Sequence, residues 1–308
     1  MPAPVQIAAR PDRRLAGIAV RLLSAICLSA MFALGKLAAD RGVSVVEILF
    51  YRQAFAIPMV GAWIALSGGG MAALRTHRPG AHVWRTAIGL SGMALNFTTF
   101  LLLPLAEATV IGFSVPIFAT ILSTLLLAEP TGRHRWSAVL VGFAGVVLAI
   151  RPGSGALPAA GIAVGVAGAI VTAGVSITLR QIGRTEGAPT TVAWFTGLSM
   201  IPLGLLMLRF GQMHDARTWA VLAALGATGG IAQLALTASL RMAPVSVVLP
   251  MDYSSLIWAV LIGWLVFGTL PAGTTWLGAP LVILSGLYII YREHRLLRER
   301  SSLAGPAD

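Results

Sequence analysis

Nine polar side chains stand within or at the edges of long apolar runs: Lys36, Glu47, Tyr51, Arg52, Asn96, Glu107, Gln233, Asp252 and Tyr253. Their types suit charge neutralisation, proton exchange on a carboxylate, and hydrogen bonding of a polar guest by amides. They do not suit bond-breaking chemistry. There is no HExxH, no G-x-S-x-G, no Walker A loop and no histidine pair at ligand spacing; His77, His82, His134, His214 and His294 all fall in loops or at the ends of runs. Cys27 is the single cysteine, so neither a disulfide nor a thiolate metal cluster can form within one chain. No cofactor, metal or directly coupled ATP is expected.

The element that must position these groups is a helix in lipid. The 308 residues are 57% hydrophobic and 11% charged, with mean hydropathy +0.84, whereas soluble domains carry about 25% charged residues. Such a chain has too little polar surface to wrap a core against water. A helix crosses the hydrocarbon in about 20 apolar residues, and ten such runs are read near Leu15–Ala39, Val45–Leu66, His82–Leu103, Ala106–Leu127, His134–Ile150, Leu157–Leu179, Ala188–Leu208, Thr218–Leu240, Val245–Phe267 and Thr274–Tyr291. Turn chemistry separates them at Ser67–Gly70, Arg78–Gly80, Glu129–Gly132, Arg151–Gly155 and Leu270–Gly273. The expected fold class is an all-α polytopic membrane protein.

An even number of spans puts both termini on one side. Arg41, Arg151, Arg209 and Arg217 then lie on the opposite side, Arg21, Lys36 and Arg52 lie inside spans, and every other one of the 22 basic residues shares the side of the termini. By the positive-inside rule that side is the cytoplasm. The net charge of +11 is thereby assigned to topology and anionic lipid, with no nucleic acid.

The halves of the chain resemble one another weakly. Phe50–Gly61 lies over Trp194–Leu205 at an offset of 144, with Pro58 on Pro202; an offset of 137 stacks Gly89 on Gly226, Gly92 on Gly229 and Asn96 on Gln233. Near 141, Gly145 falls on Gly286 and Arg151 on Arg292. A five-span unit is odd, so its second copy must enter the membrane upside down. Inverted repeats of this kind suit alternating access to a shared site near the midplane. The domain reading is a tail over 1–14, repeats over 15–151 and 152–292, and a tail over 293–308.

Several stretches are similar to the EamA-type transporters of the drug/metabolite transporter superfamily. They are Phe32–Lys36 followed by Glu47–Arg52; Leu103–Ala108, Pro116, Leu127–Glu129, Arg133–Trp136 and Gly142–Gly145; then Asp252-Tyr253, Phe267-Gly268 and Trp276–Gly278. The likeness covers roughly residues 15–292. Thr269 departs from it, because the family often has glutamate there. The resemblance implies a ten-helix fold with cytoplasmic termini and secondary transport of small metabolites.

Two readings attach to most of the polar groups. Lys36 or Arg52 in contact with Glu47 or Glu107 would form either a structural ion-pair clasp or a substrate or gate contact, and Arg21, nearer the cytoplasmic end, is expected to snorkel. Asp252 lies about 10 Å into its span at 1.5 Å per residue, beside Pro250, whose missing N–H loosens the helix. It suits proton coupling or a cationic substrate, or else a hydrogen bond to a neighbouring helix or Tyr253. Asn96 and Gln233 suit a pair of amides lining one central cavity, or interhelical contacts. Trp84, Trp136, Trp219 and Trp276 fall at span ends as interface anchors, while Trp194 and Trp258 lie deeper, in a cavity wall or a packed core. The expected partners are a small-molecule substrate, protons as candidate coupling ion, and the lipid bilayer of a bacterial-type inner membrane; a monomer is compatible with all of this. Export or exchange of amino acids or similar metabolites leads, with uptake of S-adenosylmethionine or riboflavin as the alternative. A passive channel and an intramembrane enzyme are the competing classes.

Overall fold

The computed structural model describes residues 11–66, 74–127, 133–183 and 185–303, and every regular element among them is helical. In chain order these are α1 (Pro11–Ala39), α2 (Val45–Ala54), α3 (Ile57–Leu66), α4 (Pro79–Leu102), α5 (Leu105–Gly112), α6 (Val115–Leu127), α7 (Arg133–Ile150), α8 (Ala159–Ile182), α9 (Ala188–Phe210), α10 (Ala216–Met242), α11 (Val245–Val248), α12 (Ser255–Phe267) and α13 (Gly273–Leu303). A 3-10 segment, Leu249–Ser254, joins α11 to α12. Counted through their short interruptions, eight segments are long and apolar enough to cross a membrane, and Trp136–Ile150 is a shorter apolar helix. The 24 residues of α4 are long enough but carry more polar groups. The protein is a multi-pass membrane protein. The turns read at Ser67–Gly70 and Glu129–Gly132 lie outside the described residues.

Three spans expected as single helices are interrupted, and proline explains each. Pro58 cannot donate to the Ala54 carbonyl four residues back, and α2 ends at Ala54; Pro116 stands in the same relation to Gly112, where α5 ends. Pro250 opens the third break, where the helix tightens into 3-10 geometry around Asp252. Pro202 and Pro280 stay inside continuous helices. At the other end, α13 runs on through the expected tail to Leu303.

Close packing rests on antiparallel helix pairs. On α1 and α10, Gly17 meets Ala243, Ser24 donates to the Ala232 carbonyl at 2.8 Å, and Met31 packs on Gly229. On α4 and α8, Leu103 meets Gly161, Thr99 meets Gly165 and Asn96 meets Gly168. On α7 and α13, the Ser285 hydroxyl donates to Ala138 O at 2.8 Å and Thr274 to Ala149 O at 3.3 Å. Further pairs join α2 to α9 and α10, α4 to α9, and α1 to α12. The glycines at these crossings let backbones approach in a medium that supplies little hydrophobic drive.

Gly278 gives the strongest test of that packing. A Cβ there would meet the Gly145 carbonyl oxygen and the Ala149 amide, backbone atoms that cannot swing aside. Gly278→Val is expected to lower stability by about 3 kcal/mol through overpacking, read as a lower melting temperature in detergent. Gly61→Ala, which meets nothing within 4 Å, is the control; equal melting of the two variants would contradict the α7–α13 contact.

Polar caps fix the loops. Asp215 caps α10, accepting from Thr218 N at 3.1 Å, and the Thr218 hydrogen bonds hold its carboxyl below the usual carboxylate range. This stabilisation is present above about pH 4 and lost as the pH falls through the depressed value. At the opposite end Glu186 accepts from Thr76 Oγ1 at 2.8 Å and His77 N at 3.2 Å, tying the turn before α4 to the one before α9.

Candidate functional site

The end of the bundle where α1 finishes and α2 begins is held by three buried or half-buried ionisable groups. Lys36 Nζ donates to the carbonyls of Phe100 at 3.1 Å, Leu101 at 3.2 Å and Leu103 at 2.9 Å, and so caps the C-terminus of α4. Glu47 is fully buried, closes a capping box with Ser44, and accepts from Gln212 N at 2.9 Å with His214 Nε2 at 2.8 Å. Glu107, 2% exposed, accepts from Ala272 N at 3.0 Å and Thr275 Oγ1 at 3.1 Å, and its Oε2 has no partner.

These contacts correct the expected pairing. Neither Lys36 nor Arg52 takes up Glu47 or Glu107. The C-terminal carbonyls of α4 draw the ammonium, and the loops before α10 and α13, with the first turn of α13, supply donors to the two carboxylates. Both glutamates therefore clasp the first half of the chain to the second. The Thr269 hydroxyl donates to Gly263 O at 3.2 Å beyond Gly268, whose φ of +64° ends α12 in a left-handed cap. Glu129 lies outside the described residues.

Away from this clasp lies a chamber in two adjoining parts that share some of their lining. The inner part, about 350 Å³, is lined by Ser24, Ser29, Phe32, Asn96, Phe100, Thr109, Thr172, Asp252 and Ser255 among others. The second, about 440 Å³, is lined by Thr120, Ser123, Arg180, Asp252, Tyr253 and Ile289. Gly112, Phe113, Val115 and Asp252 border both. Phe32 and Phe100 stack at 3.9 Å between centroids, and Phe113 meets Tyr253 edge-on at 4.9 Å. The chamber therefore has flat apolar walls with hydroxyl, amide and carboxylate groups set into them, the usual make-up of a small-molecule site.

Asp252 is where both parts meet, and it is not a lone carboxylate. Arg21 Nε and Nη2 each approach one of its oxygens at 2.5 Å, a bidentate pair. The side chain of Arg21 is 4% exposed, that of Asp252 46%. Arg21 thus points inward from α1 instead of snorkelling, because the 3-10 turn delivers a carboxylate to it. The hydroxyl of Tyr253 rests against Gly286 of α13. Asn96 borders the chamber while its Nδ2 donates to Gly92 O at 2.8 Å and Thr172 Oγ1 at 2.9 Å, so it also joins α4 to α8.

Gln233 does not share that chamber. With Arg52, Gln53, Arg85 and Phe195 it borders a separate cavity of about 100 Å³ between α2, α3, α4, α8, α9 and α10. The expected pair of amides is therefore split, since α4 and α10 each face a different neighbour. Arg52 Nη1 donates to Gln53 Oε1 at 2.6 Å, and Gln53 donates to Ser199 at 2.6 Å. Tyr51 packs edge-on against Trp219 at 4.9 Å, apart from both cavities. Trp84, Trp136 and Trp276 are exposed at helix starts, whereas Trp194 donates to Leu74 O at 2.9 Å and stacks on His82.

Sequence reasoning expects Arg21 to snorkel, leaves Arg85 among the cytoplasmic anchors, and does not single out the phenylalanine walls. Arg85 carried a signal, since six residues into α4 is too deep for a loop anchor.

Known proteins bear on what such a chamber does. Relatives include a riboflavin transporter of Vibrio cholerae, 32% identical over 234 residues (75% of this chain, 78% of that one). A pseudopaline exporter of Pseudomonas aeruginosa is 24% identical over 89% and 95% of the two chains, and an S-adenosylmethionine uptake transporter of Rickettsia conorii 26% identical over 93% and 96%. A solved crystal structure at 20% identity covers 90% of this chain and 97% of its own with a TM-score of 0.63, which supports the fold. These relatives are named as transporters and not as enzymes. A model of the EamA-like transporter family matches residues 15–151 and again 159–292, and the chain belongs to that family.

Proposed function

We propose that this protein is a secondary active transporter that moves small polar organic metabolites, amino acids or similar, across the inner membrane by alternating access, exporting or exchanging them. The observation that carries the reading is the unequal closure of the bundle. Glu47 and Glu107 clasp one end, while the chamber extends from Asp252 toward the other, where α1 begins and α13 finishes. Ten spans in two inverted repeats, over 15–151 and 152–292, with both termini cytoplasmic, make this an inward-facing state. Three observations support the repeat: the family model matches twice; exchanging the halves turns the pair α1 and α10 into α8 and α4; the same exchange leaves the α7–α13 and α2–α9 pairs unchanged. Topology is tested by tags at residues 1 and 160, which should face opposite sides of the bilayer; tags on the same side would overturn the inverted repeat.

Uptake of a flat heterocyclic metabolite, proton-coupled, is the second reading. It is favoured by relatives named as riboflavin and S-adenosylmethionine transporters and by the stacked Phe32 and Phe100 in the chamber wall. A substrate panel in proteoliposomes with the pH gradient set in both directions separates the two. Efflux or exchange of amino acids supports the first reading, accumulation of riboflavin or S-adenosylmethionine with inward protons supports the second, and non-saturating flux without coupling would contradict both.

A further inference from the structure

Among the described residues, the cavity bordered by Arg52 and Arg85 holds two cations and no acid. None of its lining residues is Asp or Glu, and Arg52 Nε, Arg85 Nε and Arg85 Nη1 are buried without a hydrogen-bond partner. A buried charge without a counter-charge is strongly unfavourable, so this arrangement calls for an anion. The geometry suits one. The Arg85 guanidinium carbon lies 4.1 Å from the centroid of the Phe195 ring, a cation–π contact, and no hydrogen bond takes up the N–H groups along its edge among the described residues. That edge, Nε with a terminal nitrogen, is the fork that grips a carboxylate or phosphate through two parallel hydrogen bonds. Gly89 makes room for it, since a Cβ there would collide with Arg85 Nη1. On the facing side Gln53 fixes Arg52 through Nη1 and leaves Nε available.

We infer that Arg52 and Arg85 form a binding site for the oxyanion head of a small soluble solute, a carboxylate or a phosphate, separate from the Asp252 chamber. At about 100 Å³, against about 30 Å³ for a water molecule in the liquid, the space takes a head group of a few heavy atoms and not a whole metabolite. The chamber differs in this respect, since there Arg21 is neutralised by the carboxylate of Asp252. The inference does not depend on the direction or coupling of transport.

The test uses the full chain in nanodiscs of neutral lipid, with inorganic phosphate and acetate titrated separately at constant ionic strength. Saturable heat on titration and a rising melting temperature are expected for at least one of them. Binding should weaken at least tenfold in Arg52→Gln and in Arg85→Gln and vanish in the double variant, because each removes charge-assisted hydrogen bonds. Arg85→Lys keeps the charge and loses the fork, so it should weaken phosphate binding while folding normally; it carries the test if the glutamine variants fail to fold. No response in the parent chain, or the same response in parent and double variant, overturns the site. Stabilisation by phosphatidylglycerol alone, with none by phosphate or acetate, assigns the arginines to a lipid headgroup and overturns the soluble solute. Since the readout is binding, failure here is distinct from failure of the substrate panel.

Discussion

Asp252→Asn is expected to abolish pH-dependent transport and to lower the melting temperature of the protein. The amide cannot exchange a proton and cannot neutralise Arg21, whose guanidinium it leaves inside the bundle with its two shortest contacts weakened. Removing one partner of a buried pair costs about 3–5 kcal/mol. Asp252 is about half exposed to the chamber, so screening brings the expected loss nearer about 2 kcal/mol. The double variant Arg21→Gln/Asp252→Asn separates the two effects. It should regain most of the stability, as neutral pairs replace charged ones, and remain inactive. Transport in proteoliposomes with an unchanged pH profile would remove Asp252 from the mechanism, and full rescue of transport by the double variant would make the pair purely structural.

Lys36→Met should have the second largest effect. Methionine keeps most of the stem volume but withdraws the three N–H groups from Phe100, Leu101 and Leu103. Bonds from a charged donor contribute about 1.5–3 kcal/mol each where nothing replaces them. Water at a helix end replaces some of that, so a loss of about 3 kcal/mol is expected, with transport reduced several-fold as α4 loosens against α1. Lys36→Arg should recover part of both. Melting of the methionine variant at the parent temperature would show that the cap contributes nothing.

The contrast between Arg21 and Arg52 shows what a sequence of this kind discloses. Depth along a helix is legible at 1.5 Å per residue, and it located Asp252 beside a loosened turn at Pro250. Facing direction is not. In a soluble helix the polar stripe marks the outside, but lipid is as apolar as a packed interface, so the stripe is missing. On that account the sequence reads Arg21 as a snorkelling group and Arg52 as half of a pair, whereas Arg21 is the arginine joined to a carboxylate 231 positions away. Asn96 and Gln233 fail in the same manner: the sequence offset of 137 aligns their positions, but facing divides them between two cavities. The clasp was half legible. Glu47 and Glu107 stand at helix starts, where an acid is favoured, but their partners are backbone N–H, hydroxyl and imidazole groups in loops and a first helical turn that have no periodic signal.

The proline-broken helices bear on how so uncharged a chain accommodates a polar guest. Pro58, Pro116 and Pro250 each deprive an upstream carbonyl of the amide that an unbroken helix would give it. Residues at or beside those gaps border every cavity described above: Gly112 and Asp252 the larger one, Ala56 the smaller. Main-chain oxygens can therefore serve as docking points for water and solute hydroxyls inside the bundle, where non-helical backbone is tolerated if it is buried in protein or lines a water-filled cavity. Such acceptors are present whatever side chains surround them. Retuning the walls could then change the cargo while the hydrated route itself is retained.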